Sequence, residues 1–118
     1  IDFQDAGIGP ITYDLVSLLQ DARRSVPSKI AADCLVSYAK AFPNMDKKAF
    51  EVSYAVMAAH RHVRVIAVFY RLAEQGKPAY LAHLPRLWRL LMDALGHPAL
   101  KGLALWFEAH LSTRAFIT

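Results

Sequence analysis

The stretch AVMAAHRHVRVIAVFYRL, residues 55–72, decides the fold. It has no Gly or Pro and no β-type alternation, so it reads as helix. An ordinary surface helix carries one polar face. Here Tyr54, Met57, Val63, Val65, Ile66, Val68 and Phe69 surround the axis, which predicts a helix buried within its domain. Its middle nevertheless carries His60, Arg61, His62 and Arg64. Buried charge is costly unless it is paired or wet. Two readings stay open: Arg61 and Arg64 form ion pairs with acids elsewhere in the chain, or some of these four groups border a polar pocket. A metal site on His60 and His62 is disfavoured, because residues two apart diverge on a helix and no carboxylate stands four residues on.

Working outward, the helix is expected over Lys47–Gln75, capped by Asp46 and stopped by Gly76. Before it, Pro10 suits the first turn of a helix over Ile11–Ala22, with Ile11, Leu15, Leu18 and Leu19 on its apolar face. Ser28 is the expected N-cap of a second helix, Lys29–Phe42, with Ile30, Cys34, Leu35, Tyr38 and Phe42 as its stripe. Beyond Gly76 a short piece is expected over Pro78–His83. A break at Pro85 should separate it from a helix over Pro85–Leu95, and a last helix should run from Pro98 to Leu111. The class is all-α, one helical domain over residues 1–118, with room for one short strand at the N-terminus.

Composition narrows the function classes. Of 118 residues, 55% are hydrophobic and 20% charged, which suits a folded chain. No apolar run reaches the roughly 18 residues of a membrane span. The net charge of +4 is spread along the chain, not gathered into the basic face that nucleic acid requires. Cys34 is alone, so no internal disulfide forms, and a buried apolar thiol in a reducing cytoplasm is the expectation.

The N-terminus, IDFQDAGIGPITYDL (residues 1–15), holds the most chemical-looking residues. Asp2, at a strand-like end before a glycine turn, is of the type that ligates Mg²⁺ on nucleotide phosphates, although a turn-forming role explains it equally well. Asp5 orders the same turn. Asp14 falls in the first helical turn, where the helix dipole favours a carboxylate in any case.

Taken together, IDFQDAGIGPITYDLVSLLQDAR (residues 1–23) resembles the metal-binding segment of the aminoglycoside-phosphotransferase-like kinases. It is most similar to the branch that phosphorylates N-acetylmuramate and N-acetylglucosamine at the anomeric position in cell-wall recycling. AAHRHVRVIAVFYRLAEQGKPAYLAHLPRLWRLLMDALGHPAL (residues 58–100) resembles the same branch. The resemblance implies the helical C-terminal lobe of a protein-kinase-like fold. It implies ATP and Mg²⁺ as cofactors, with Asp2 as metal ligand, Gln4 beside it in the nucleotide site, and Asp14 as a buried brace beneath the catalytic loop. It also implies that the general base lies upstream. His60, His62, His83, His97 and His110 are never followed by x-Asp, the pattern that loop would carry. Phosphoryl transfer needs several positioned groups at once, so this chain alone should be inactive.

The acceptor implied is a small sugar hydroxyl. The 55–72 stretch contains no acid, whereas a polycationic aminoglycoside calls for acids. His60, Arg61 and Arg64 are therefore the expected pocket residues for a neutral or anionic acceptor. The alternatives are a kinase of the same superfamily for another small molecule and a non-catalytic helical interaction module. Surfaces that would pack on missing segments are expected to promote self-association.

Overall fold

The long apolar stretch folds as one helix, and its two ends show why it stops where it does. In the computed structural model, which describes residues 10–111, this helix is Lys47–Glu74. Asp46 caps its start, the carboxylate accepting from the Ala49 N–H at 3.1 Å. At its end Gly76 takes φ +90°, a region costly for residues with a Cβ. That turn sends the N–H of Gly76 to the Ala73 carbonyl and the N–H of Lys77 to the Leu72 carbonyl, a Schellman closure.

The elements are α1 (Ile11–Leu19), α2 (Ser28–Ala41), α3 (Lys47–Glu74), a 3₁₀ segment (Pro78–His83), α4 (Leu84–Leu95), a 3₁₀ turn (Pro98–Leu100) and α5 (Lys101–His110). The described residues are therefore all-α. The strand allowed at the N-terminus lies outside them. No helix among the described residues is long and apolar enough to cross a membrane.

The core is the seam between α3 and α4. Ala55, Ala58, Ala59, Ile66 and Phe69 form one stripe of α3, and Leu84, Leu87, Trp88, Leu91, Ala94 and Leu95 form the facing stripe of α4. Small alanines on one side and leucines on the other let the helices interdigitate. Pro85 sits in the first turn of α4, where no N–H is needed, so the 3₁₀ segment ends at His83 and α4 begins beside the proline, as expected. Tyr80 and His83 pack on Phe69, with ring centroids 4.8 and 5.9 Å away, so both fix the bend before α4. Trp88 is core, whereas Trp106 is half-exposed and stacks on His110 at 4.6 Å.

Three expectations need correction. First, α1 ends at Leu19, not Ala22. Asp21 draws the N–H groups of Arg23 and Arg24 to its own carboxylate, a local bond that competes with the helix. Arg86, from the first turn of α4, then takes the carbonyls of Asp21 and Ala22 in a fork, both at 2.8 Å. The buried face of α1 is Thr12, Val16 and Leu19, while Ile11 and Leu18 are exposed. Second, α2 buries nothing. Ser28 is its first residue and Pro27 holds the cap position without a side-chain bond. Its Ile30, Cys34 and Tyr38 border a shallow groove with Leu15, and the Cys34 thiol is exposed, not buried. Tyr38 ties α2 to α3 by stacking on Phe50 at 5.7 Å. Third, α3 is not buried all round. Val52, Val63, Val68 and Tyr70 face outward, because α1 and α4 cover only part of its circumference.

Leu87 is fully buried and Val36 is half-exposed. Leu87→Ala is expected to cost about 2–5 kcal/mol of unfolding free energy and Val36→Ala under about 0.5 kcal/mol. Urea unfolding of both variants beside the parent checks this.

Candidate functional site

Where α1 crosses α3, polar side chains meet on either side of the buried Val16. Thr12, almost fully buried, shares a 2.6 Å hydroxyl contact with Ser53. At the other end of α1, Gln20 closes the helix and its side chain reaches across to α3. Its Oε1 lies 2.6 Å from Nε2 of His62, and its Nε2 donates to the Tyr54 hydroxyl at 3.2 Å. An amide oxygen can only accept, so His62 Nε2 must donate. His62 is 1% exposed. Burial, with the charges of Arg61 and Arg86 adding to it, pushes its pKa down to about 4, so the ring is neutral near pH 7. Burial also raises the Tyr54 phenol, which stays protonated.

Gln20 and Tyr54 stand at the wall of a cavity of about 950 Å³ between α2, α3 and α4. Its floor is Ala55, Ala58, Leu90 and Ala94, and its rim carries Lys40, Lys47, Glu51 and Asp93. This size and this mixture of apolar surface with a few placed polar groups are typical of small-molecule sites. The cavity exists because α2 stands away from the α3–α4 seam.

The residues singled out from sequence fall elsewhere. Asp2 and Gln4 lie outside the described residues. Asp14 is exposed on α1; the buried polar side chain of that helix is Thr12. His60 and Arg64 are exposed on α3. Arg61 lies against α1, its Nη1 donating to the Tyr13 hydroxyl at 3.4 Å and its guanidinium carbon 5.8 Å from the Tyr13 ring centre. Its Nε is buried without a hydrogen-bond partner among the described residues. None of His60, Arg61 and Arg64 lines the cavity, and neither arginine forms an ion pair among the described residues. Among those residues no cluster of three His, Cys, Asp or Glu side chains could hold a metal. Sequence reasoning missed Gln20. The available signal was its place just past the last apolar residue of α1, within the span of a helix expected to continue.

Comparison with known proteins supplies what the geometry cannot. The chain is 39% identical over 112 residues to the N-acetylmuramate/N-acetylglucosamine kinase of Caulobacter vibrioides, a match that covers 94% of this chain and 31% of that one. The chain is a relative of these kinases. Proteins of the same name from Pseudomonas putida and Neisseria meningitidis serogroup B are 35% identical over 103 residues and 38% over 98. Those matches cover 81% and 77% of this chain, and 30% and 29% of the relatives. The chain thus spans 29–31% of the length of the curated relatives it matches. No family model matches it.

The buried His62 sets a pH dependence. Its pKa falls from 6.5 to about 4 on folding, so between those values the unfolded chain binds the extra proton. Its contribution is therefore intact above pH 6.5. It is lost as pH falls toward 4, at up to about 1.4 kcal/mol per pH unit. Urea unfolding from pH 7 to 4 should show a steeper loss for the parent than for His62→Leu. Parallel curves would show that His62 is not buried neutral.

Proposed function

We propose that this chain is the acceptor-binding part of a longer cytoplasmic phosphotransferase. In this reading the whole enzyme moves the γ-phosphoryl group of ATP to a hydroxyl of an N-acetylated amino sugar of cell-wall recycling. The observation that carries the proposal is the match to the N-acetylmuramate/N-acetylglucosamine kinases along nearly the whole chain.

The roles follow from residue chemistry. Asp2 would hold Mg²⁺, with Gln4 beside it at the nucleotide. Mg²⁺ when bound neutralises charge on the phosphates. Asp14, exposed on the first turn of α1, presents a carboxylate that an upstream catalytic segment would cover. Arg61 and Arg64, with His60 beside them, would meet an anionic group of the acceptor such as a lactyl carboxylate. The buried, unsatisfied Nε of Arg61 supports this, because such a group pays a desolvation cost that an arriving acceptor relieves. Arg61 also lies seven residues beyond Tyr54, on the same stripe of α3. In this account the nucleotide-gripping and proton-accepting groups belong to the whole enzyme, and the chain by itself would be inactive.

Full-length enzyme assayed with ATP should phosphorylate N-acetylated amino sugars better than kanamycin-type substrates. Asp2→Asn should lower turnover by about 100-fold or more. Better turnover of the aminoglycoside, or full activity after Asp2→Asn, would overturn the reading. The chain alone should self-associate through the apolar residues that α2 and α5 expose, which light scattering would detect as a mass above 13.2 kDa.

A further inference from the structure

The polar pair at the cavity wall is oriented by what lies behind it. His62 donates to Gln20 Oε1, which fixes the amide so that its nitrogen faces Tyr54. The Tyr54 oxygen accepts from that nitrogen and keeps its own proton to give. Among the described residues no acceptor takes it. Gln20 has a second amide hydrogen beside it. The wall therefore presents donors and asks for a ligand oxygen that accepts.

The surroundings define the rest of that ligand. The partly exposed lining of the same cavity is apolar, with Leu35, Ala39 and Leu90 over the buried alanines of the seam. The Phe50 ring stands 6.4 Å from the Tyr54 ring, an aromatic surface on which the apolar face of a sugar can rest. The rim carries two cations, Lys40 and Lys47, and two anions, Glu51 and Asp93, so it favours no net charge. A carbonyl oxygen next to a methyl group, on a neutral polyhydroxylated body, matches all three features.

We infer that this cavity holds the acetamido group of an N-acetylated sugar, its carbonyl oxygen accepting the Tyr54 hydroxyl proton and its methyl group lying on the apolar lining beside it. The inference rests on the sugar-kinase reading for the identity of the ligand and on the cavity for its place. Gln20 and His62 are positioning residues: they orient the Tyr54 proton and do not touch the ligand carbonyl themselves. The site also assigns a reason for discrimination. A sugar lacking the acetyl group leaves the Tyr54 donor unpaired in an apolar recess, which costs binding.

The test uses full-length enzyme, as parent and as Tyr54→Phe, which keeps the ring and removes the proton. Two readouts are taken with N-acetylglucosamine and glucose: kcat/KM with ATP, and binding by ligand-observed NMR without nucleotide. The preference for N-acetylglucosamine over glucose should fall about 5- to 10-fold in Tyr54→Phe, mainly through KM and the binding constant. His62→Leu should lower the same preference without any contact to the sugar, and a merely structural role would instead lower both sugars alike. An unchanged preference in Tyr54→Phe, in an enzyme that does phosphorylate sugars, would overturn the inference and leave the kinase reading standing. An enzyme that phosphorylates no sugar yet binds N-acetylglucosamine in a Tyr54-dependent way would overturn the kinase reading and support the site. Absence of N-acetylglucosamine binding to the parent would overturn the site.

Discussion

The α3–α4 seam is the constraint on which everything else hangs. Buried apolar area is the dominant favourable term in folding, and here most of it is concentrated along two facing stripes. Once alanines of α3 and leucines of α4 lock together, the 28-residue α3 is a fixed rail about 42 Å long. Onto that rail α1 is held by its buried Val16 and Leu19 together with polar bonds, and the 3₁₀ segment is held by Phe69. The fork of Arg86 on the carbonyls of Asp21 and Ala22 transmits the position of α4 to the end of α1. The seam therefore helps to set the position of Gln20, the residue before Asp21.

The polar contacts around the seam divide into two kinds. Some close backbone accounts, as Asp46 and Asp21 do at helix ends, and these explain local structure. Others join side chains from different helices and have no backbone duty. Thr12 with Ser53, and His62 with Gln20 and Tyr54, belong to the second kind. Burying such groups is costly unless each finds a partner, so a network of this sort fixes one arrangement of α1 on α3. It also leaves the Tyr54 hydroxyl, at the cavity wall, with no acceptor for its proton among the described residues.

The helix α2 shows how far local patterning can mislead. Its apolar residues at helical spacing read as a core stripe, and the helix itself forms where expected to within a residue. Yet its side chains border two grooves instead of entering a core. Spacing reports that a face is apolar; it does not report what stands opposite. The same reasoning applies to α3, whose apolar residues encircle the axis but are covered only where α1 and α4 lie. Asp14 and the trio His60, Arg61 and Arg64 were legible as chemistry, since residue type alone carries that. Their separation from the cavity was not legible, since it depends on which side of α3 each neighbour takes.

The sequence by itself determined the helical class, the start and stop of α3, the role of Pro85 and the kinship with N-acetylated-sugar kinases. Caps, glycine turns and helical periodicity act within a few residues, and kinship is carried by residue order. Only the tertiary structure decided that His62, and not its charged neighbours, is buried, and that Gln20 joins it to Tyr54 at a cavity wall. Those facts link residues 34 and 42 positions apart, and only the packing of α1 across α3 brings them within hydrogen-bond reach.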